Sequence, residues 1–139
     1  MNDTTRKYFM ETYGHVPDSF EVIDRFNPEA LDAIAGFRTT IIPSKSGGRQ
    51  VLSPKVKELI VTAVEVAAGR GEKGKSHARK AIRVGATPDE VFEAVSLCIY
   101  LSGMMSWVDS GADAVKSAED EYKKMKSGEG FRWTSETPR

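Results

Sequence analysis

Arg70, Lys73 and His77 share the stretch Arg70-Gly71-Glu72-Lys73-Gly74-Lys75-Ser76-His77. Residues four apart on a helix stack on one face, and residues seven apart share it again. A helical reading therefore places both cations one and two turns before the histidine, in one stripe. Gly74, Ala78 and Ala81 lie beside the stripe and leave room. Free backbone N–H groups and the dipole near a helix start also favour an anion. The stripe reads as a site for a carboxylate or a phosphate, with a histidine able to exchange protons near neutral pH. Glu58, in the amphipathic segment just before it, is the candidate to orient His77 or share its proton. A blander reading stands beside this one. A histidine among alanines is often a core histidine bonded to a backbone carbonyl, and Lys73, Lys75, Arg79, Lys80 and Arg83 also fit a solvated face. Spacing alone favours the bland reading.

The elements that must position these residues read as all helix. Asp18 with Glu21 three residues later has the form of a capping box opening a short helix. Asn27-Pro28-Glu29 supplies a cap, a first-turn proline and a first-turn acid for a second helix to about Phe37. Ser44-Lys45-Ser46-Gly47-Gly48 reads as a flexible loop. Ser53-Pro54 starts a helix whose apolar residues Val56, Leu59, Ile60, Ala63, Val64 and Ala67 follow the single-face pattern, with Glu58, Thr62 and Glu65 on the other side. A helix over about Glu72–Val84 follows, with Gly85 as its left-handed cap. Thr87-Pro88-Asp89-Glu90 opens the next through a capping box, and Gly103 breaks or kinks it. Met104, Val108, Ala112, Val115 and Tyr122 continue a helical stripe to about Lys126. The expected organisation is one helical domain over residues 1–126 and a loose tail over 127–139.

The bounds exclude several classes. The chain has 139 residues, 20 Lys and Arg against 20 Asp and Glu, and a net charge of zero. No basic field argues for nucleic acid. No apolar run is long enough to span a bilayer, and Met1-Asn2-Asp3-Thr4 lacks the apolar core of a signal peptide. The default expectation is a cytoplasmic protein that binds no membrane. The one cysteine, Cys98, excludes an internal disulfide and a Cys-based metal cluster. It lies on an apolar stripe and reads as inert core. Met104 and Met105 read as packing, and His15 as a loop residue.

Three stretches resemble the carboxymuconolactone decarboxylase and alkylhydroperoxidase-like superfamily: Tyr13-Gly14-His15-Val16-Pro17, Leu52 through Ile60, and His77 through Val91 with its Gly-Ala-Thr-Pro-Asp-Glu turn. The resemblance spans about Tyr13 to Ala118 and implies an oligomeric helical bundle. The peroxidase branch carries Glu-x11-Cys-x2-Cys-x3-His. Laid on this chain without gaps, its glutamate falls on Glu58 and its histidine on His77, while its cysteines fall on Arg70 and Lys73. A thiol peroxidase needs one thiolate to attack and a second thiol to resolve, so this chain is not one. The decarboxylase branch also lacks the cysteine pair and tends to carry arginine at Arg70. It has an acid near the position of Lys73, where Glu72 is one residue out of register.

The resemblance implies an acid–base enzyme without cofactor or metal, acting on a small organic acid such as a lactone or an oxo acid. Arg70 and Lys73 would hold its carboxylate or stabilise an enolate, and His77 with Glu58 would manage the proton. The alternative is a non-catalytic member that keeps the fold and binds a small anion. The short Gly69–Gly71 connection predicts an antiparallel hairpin that places Glu58 near His77. Phe92, Leu97, Ile99, Tyr100, Leu101, Met104, Met105, Trp107 and Val108 are too many for one stripe and call for partner surfaces. The resemblance implies a homo-oligomer, a trimer or a hexamer built from trimers, with the pocket at or near the subunit interface. Two readings of the tail stay open: a disordered arm, or one whose Phe131 and Trp133 reach a neighbouring subunit.

Overall fold

The structure, a computed structural model, describes residues 1–41 and 51–129, with the side chains of residues 11–13 left aside. The loop expected at Ser44–Gly48 and the residues Phe131 and Trp133 lie outside this range. Among the described residues every regular element is helical. They form two compact units, one ending before Leu52 and one beginning there.

The first unit holds α1 (Asp3–Tyr13), α2 (Asp18–Phe26) and α3 (Pro28–Ile41). The sequence reading offered no helix for α1. Its start is an ordinary cap, the Asn2 side chain accepting from Thr5 N–H at 2.8 Å. Asp18 is not a cap: Pro17 occupies that position without a side-chain hydrogen bond, and Asp18 is the first residue of α2. Proline fixes an extended entry there by itself. Asn27 does cap α3, accepting from Ala30 N–H at 3.0 Å, and α3 runs past Phe37 to Ile41. Phe9, Val16, Leu31 and Ala35 are buried together, with the Phe9 and Phe20 rings 4.8 Å apart.

The second unit holds α4 (Pro54–Ala67), α5 (Gly71–Arg83), α6 (Pro88–Ser102), a short α7 (Met104–Ser106), a π-helical turn (Trp107–Gly111) and α8 (Ala112–Lys126). Helix α5 lies between α4 and α8, and α6 packs on both of those helices. The expected caps appear: Ser53 accepts from Val56 N–H at 3.3 Å, and Thr87 and Glu90 complete a reciprocal box. Gly85 takes φ +103 just after α5, and Gly103 breaks the chain between α6 and α7 with φ +85.

The inward face of α4 corrects the expected one. Thr62 and Val66 are its buried residues, with Leu59 and Ala63 against the same core. Val56, Ile60 and Val64 are exposed, at 36%, 48% and 53%. The periodicity was sound, but the core it meets is rich in alanine. Ala78, Ala81, Ala86, Ala114 and Ala118 are all buried, and so narrow an interior takes only one edge of the apolar stripe. A similar correction applies after Gly103. Met104, Met105 and Val108 are exposed rather than packed, whereas Ser110, Gly111, Ala114 and Ala118 face inward. The wider π-helical turn changes which residues face inward from those a continuous α-helical register gives.

Candidate active site

The α4–α5 hairpin brings Glu58 and His77 together. His77 Nδ1 lies 2.7 Å from Glu58 Oε2, and the two side chains keep only 22% and 18% of their exposure. Facing an ionised carboxylate, Nδ1 carries the proton and donates it. That fixes the tautomer and leaves Nε2 to exchange a proton with a third group. Two local features allow the approach. A Cβ on the buried Gly74 would stand 3.1 Å from Val66 Cγ2, so glycine lets α5 lie close against α4. The buried Thr62 hydroxyl donates to the Glu58 carbonyl at 2.7 Å rather than to its carboxylate.

Arg70 stands at the cap position of α5 without a side-chain capping bond. Its Nε lies 2.6 Å from Glu65 Oε2, an ion-pair distance. The N–H does not align as a hydrogen bond, because Oε2 has no hydrogen-bond partner among the described residues. The Arg70 backbone N–H also donates to the Glu65 carbonyl, at 2.9 Å. Sequence reasoning placed Glu65 away from the core and gave it no role. The available signal was its spacing: Glu65 follows Glu58 by seven residues on α4, as His77 follows Arg70 by seven on α5. In an antiparallel hairpin those intervals match, so the two pairs form two rungs.

Lys73 is exposed, in the first turn of α5 between the rungs, and its ammonium makes no ion pair among the described residues. Lys75 is paired instead with Glu72. The structure thus brings Glu58 to His77 and Arg70 to Glu65, and leaves Lys73 to solvent. Cys98 is buried, its Sγ 3.1 Å from the Ala63 carbonyl, and burial pushes its thiol above the usual range. Among the described residues, no group of three or more His, Cys, Asp or Glu side chains is placed to hold a metal ion. None of the described helices is long and apolar enough to cross a membrane.

The chain and its all-helical fold are matched by a known family and a solved structure. The Carboxymuconolactone decarboxylase family matches residues 28–116, more than half of the chain, and the protein belongs to that family. A crystal structure of a "putative carboxymuconolactone decarboxylase" from Burkholderia xenovorans LB400 superposes with a TM-score of 0.76 at 26% identity, over 90% of this chain and 93% of that one. No curated protein matches the chain. With one cysteine in the sequence, the redox pair of the peroxidase branch is absent.

Proposed function

We propose that this protein is an acid–base enzyme of the decarboxylase type, acting on a small carboxylate-bearing lactone or oxo acid in the cytoplasm and needing no cofactor. The observation that carries the reading is the 2.7 Å contact between His77 Nδ1 and Glu58 Oε2 in a largely enclosed setting. An anion-binding module needs cations but has no use for a tautomer-fixed histidine, so the pair favours catalysis over simple capture. In the step envisaged, the bond between the substrate's carboxylate carbon and its neighbour breaks and carbon dioxide leaves. The electron pair passes to the adjacent carbonyl, giving an enolate. Lys73 and Arg70 stabilise the enolate oxygen or hold a second carboxylate. His77, first protonated at Nε2 by proton uptake from solvent, delivers that proton to the carbon and returns to the neutral Nδ1–H form, and Glu58 steadies the imidazolium that precedes the transfer.

The working form we propose is a homo-oligomer, a trimer or a hexamer built from trimers, with the site at or near the contact between subunits. The exposed apolar residues of the second unit support this, among them Tyr100 at 88% and Leu101 at 77% exposure. Release of carbon dioxide from a panel of lactone acids and oxo acids tests the activity. His77→Gln should lower any rate seen by about 10²–10⁴-fold. Silence across the panel, or full activity in His77→Gln, removes the decarboxylase reading.

A further inference from the structure

We infer that Glu65 is a positioning residue, which holds the Arg70 guanidinium by its Nε side and leaves the Nη groups for the carboxylate of the substrate. This rests on the reading of the site as an anion-handling one and adds a residue to it. Three observations carry it. The rung Glu65–Arg70 repeats the rung Glu58–His77 two helical turns along the same hairpin, so the carboxylates lie on one face of α4. The two members of the pair differ in exposure: the Glu65 side chain is 17% exposed and the Arg70 side chain 57%. The enclosed carboxylate is the fixed partner and the guanidinium is the group on offer. Finally, the grip is made at Nε and out of hydrogen-bond alignment. Arginine and carboxylate frequently pair through two parallel bonds, and the single contact at Nε leaves the Nη groups of Arg70 uncommitted. No other partner of the Arg70 side chain occurs among the described residues.

The inference and simple electrostatics predict opposite signs. Neutralising an acid beside an anion site strengthens anion binding if charge alone matters. If Glu65 aims Arg70, neutralising it weakens binding. The test uses the full chain, with malonate, succinate and glutarate as carboxylate probes and dimethyl glutarate as the neutral control. NMR shifts of the Arg70 Nε–H and the His77 ring report occupancy. Glu65→Gln should weaken the dicarboxylate that binds wild type best by about tenfold, the loss of one charge-assisted contact, with dimethyl glutarate unaffected. Arg70→Lys should weaken it similarly, and the double variant no further than either alone. Glu65→Asp, which keeps the charge, should recover part of the loss and stands in if Glu65→Gln fails to fold. Binding in Glu65→Gln equal to or tighter than wild type overturns the inference while the anion site stands. If wild type itself shows no shift with any of the three dicarboxylates, the anion site and this inference fall together.

Discussion

Glu58 meets His77 through one hydrogen bond, so on the function we propose its replacement has a defined signature. In Glu58→Gln the amide keeps the size but not the charge, and the imidazolium form of His77 that donates the proton loses its counter-ion. Any carbon dioxide release should fall by about tenfold to a hundredfold, less than in His77→Gln, because orientation persists while stabilisation goes. Equal losses in the two variants would mean that Glu58 has a share in the proton transfer itself. The pairing of Glu58 with His77 was legible in the sequence because two signals agreed: the family spacing and a connection too short for anything but an antiparallel hairpin. Glu65 was not, although its spacing was visible. Its partner is decided by which faces of α4 and α5 meet, and the apolar stripe of α4 pointed to the wrong face. Arg70 read as a free cation for the same reason.

At the scale of elements, most caps and breaks could be read, Asp18 being the exception, and inward faces could not. Ser53, Thr87, Gly85 and Gly103 act locally, through backbone groups within a few residues, and each appears where its residue type demands. Which side of α4 or α8 turns inward depends on the small residues of α5, a tertiary matter. The π-helical turn shows the constraint most directly. A Cβ on Gly111 would meet Trp107 Cε3 and Val95 Cγ1, each at 3.0 Å. Alanine gains up to about 1 kcal/mol in helix propensity over glycine, but overpacking a closed site costs about 1–3 kcal/mol. Gly111→Ala should therefore lower stability by about 1 kcal/mol in denaturant unfolding, and a stabilised variant would mean that the turn has slack. The start of α6 gives a pH dependence. A hydrogen bond from the Lys55 ammonium, then one from the Thr87 N–H, holds the Glu90 carboxyl below its ordinary value of 4.5. Folding is thus favoured by Glu90 fully above that value, and the benefit fades as pH falls through the lower value of the folded state. The stability gap between wild type and Glu90→Gln should be widest near neutrality and close under acid. A gap that stays constant with pH would show that the ion pair contributes little.

For the whole molecule, an apolar stripe of α4 lies outside the core. Val56, Ile60 and Val64 recur every four residues on a face away from Glu58, and the stripe is exposed. On a solitary chain a charge there is tolerated within about 0.5 kcal/mol. Between subunits it is a buried, unpaired charge and costs several times more. Ile60→Glu should therefore convert an oligomer to smaller species by light scattering while helical content persists. A wild type that scatters as a monomer at micromolar concentration would remove the assembly and leave the stripe without explanation. The sequence showed that apolar residues were in excess, but assigned the surplus to α6 and α7 and counted α4 as core.

The Glu58–His77 link spans only nineteen positions of chain, and that bears on the order of events during folding. Closing so short a segment requires little loop entropy, far less than docking α8 onto α5 from the far end of the unit. The Glu58–His77 pair can therefore assemble on the nascent α4–α5 hairpin before the helices that pack on that hairpin exist as structure. Substitutions at Val66, inside the hairpin, should slow refolding, whereas substitutions at Ala118 should mainly hasten unfolding. The reverse pattern in stopped-flow kinetics would place α8 in the nucleus. With the hairpin first, the candidate site is also the seed of the fold, and mutations that change one will be felt in the speed of the other.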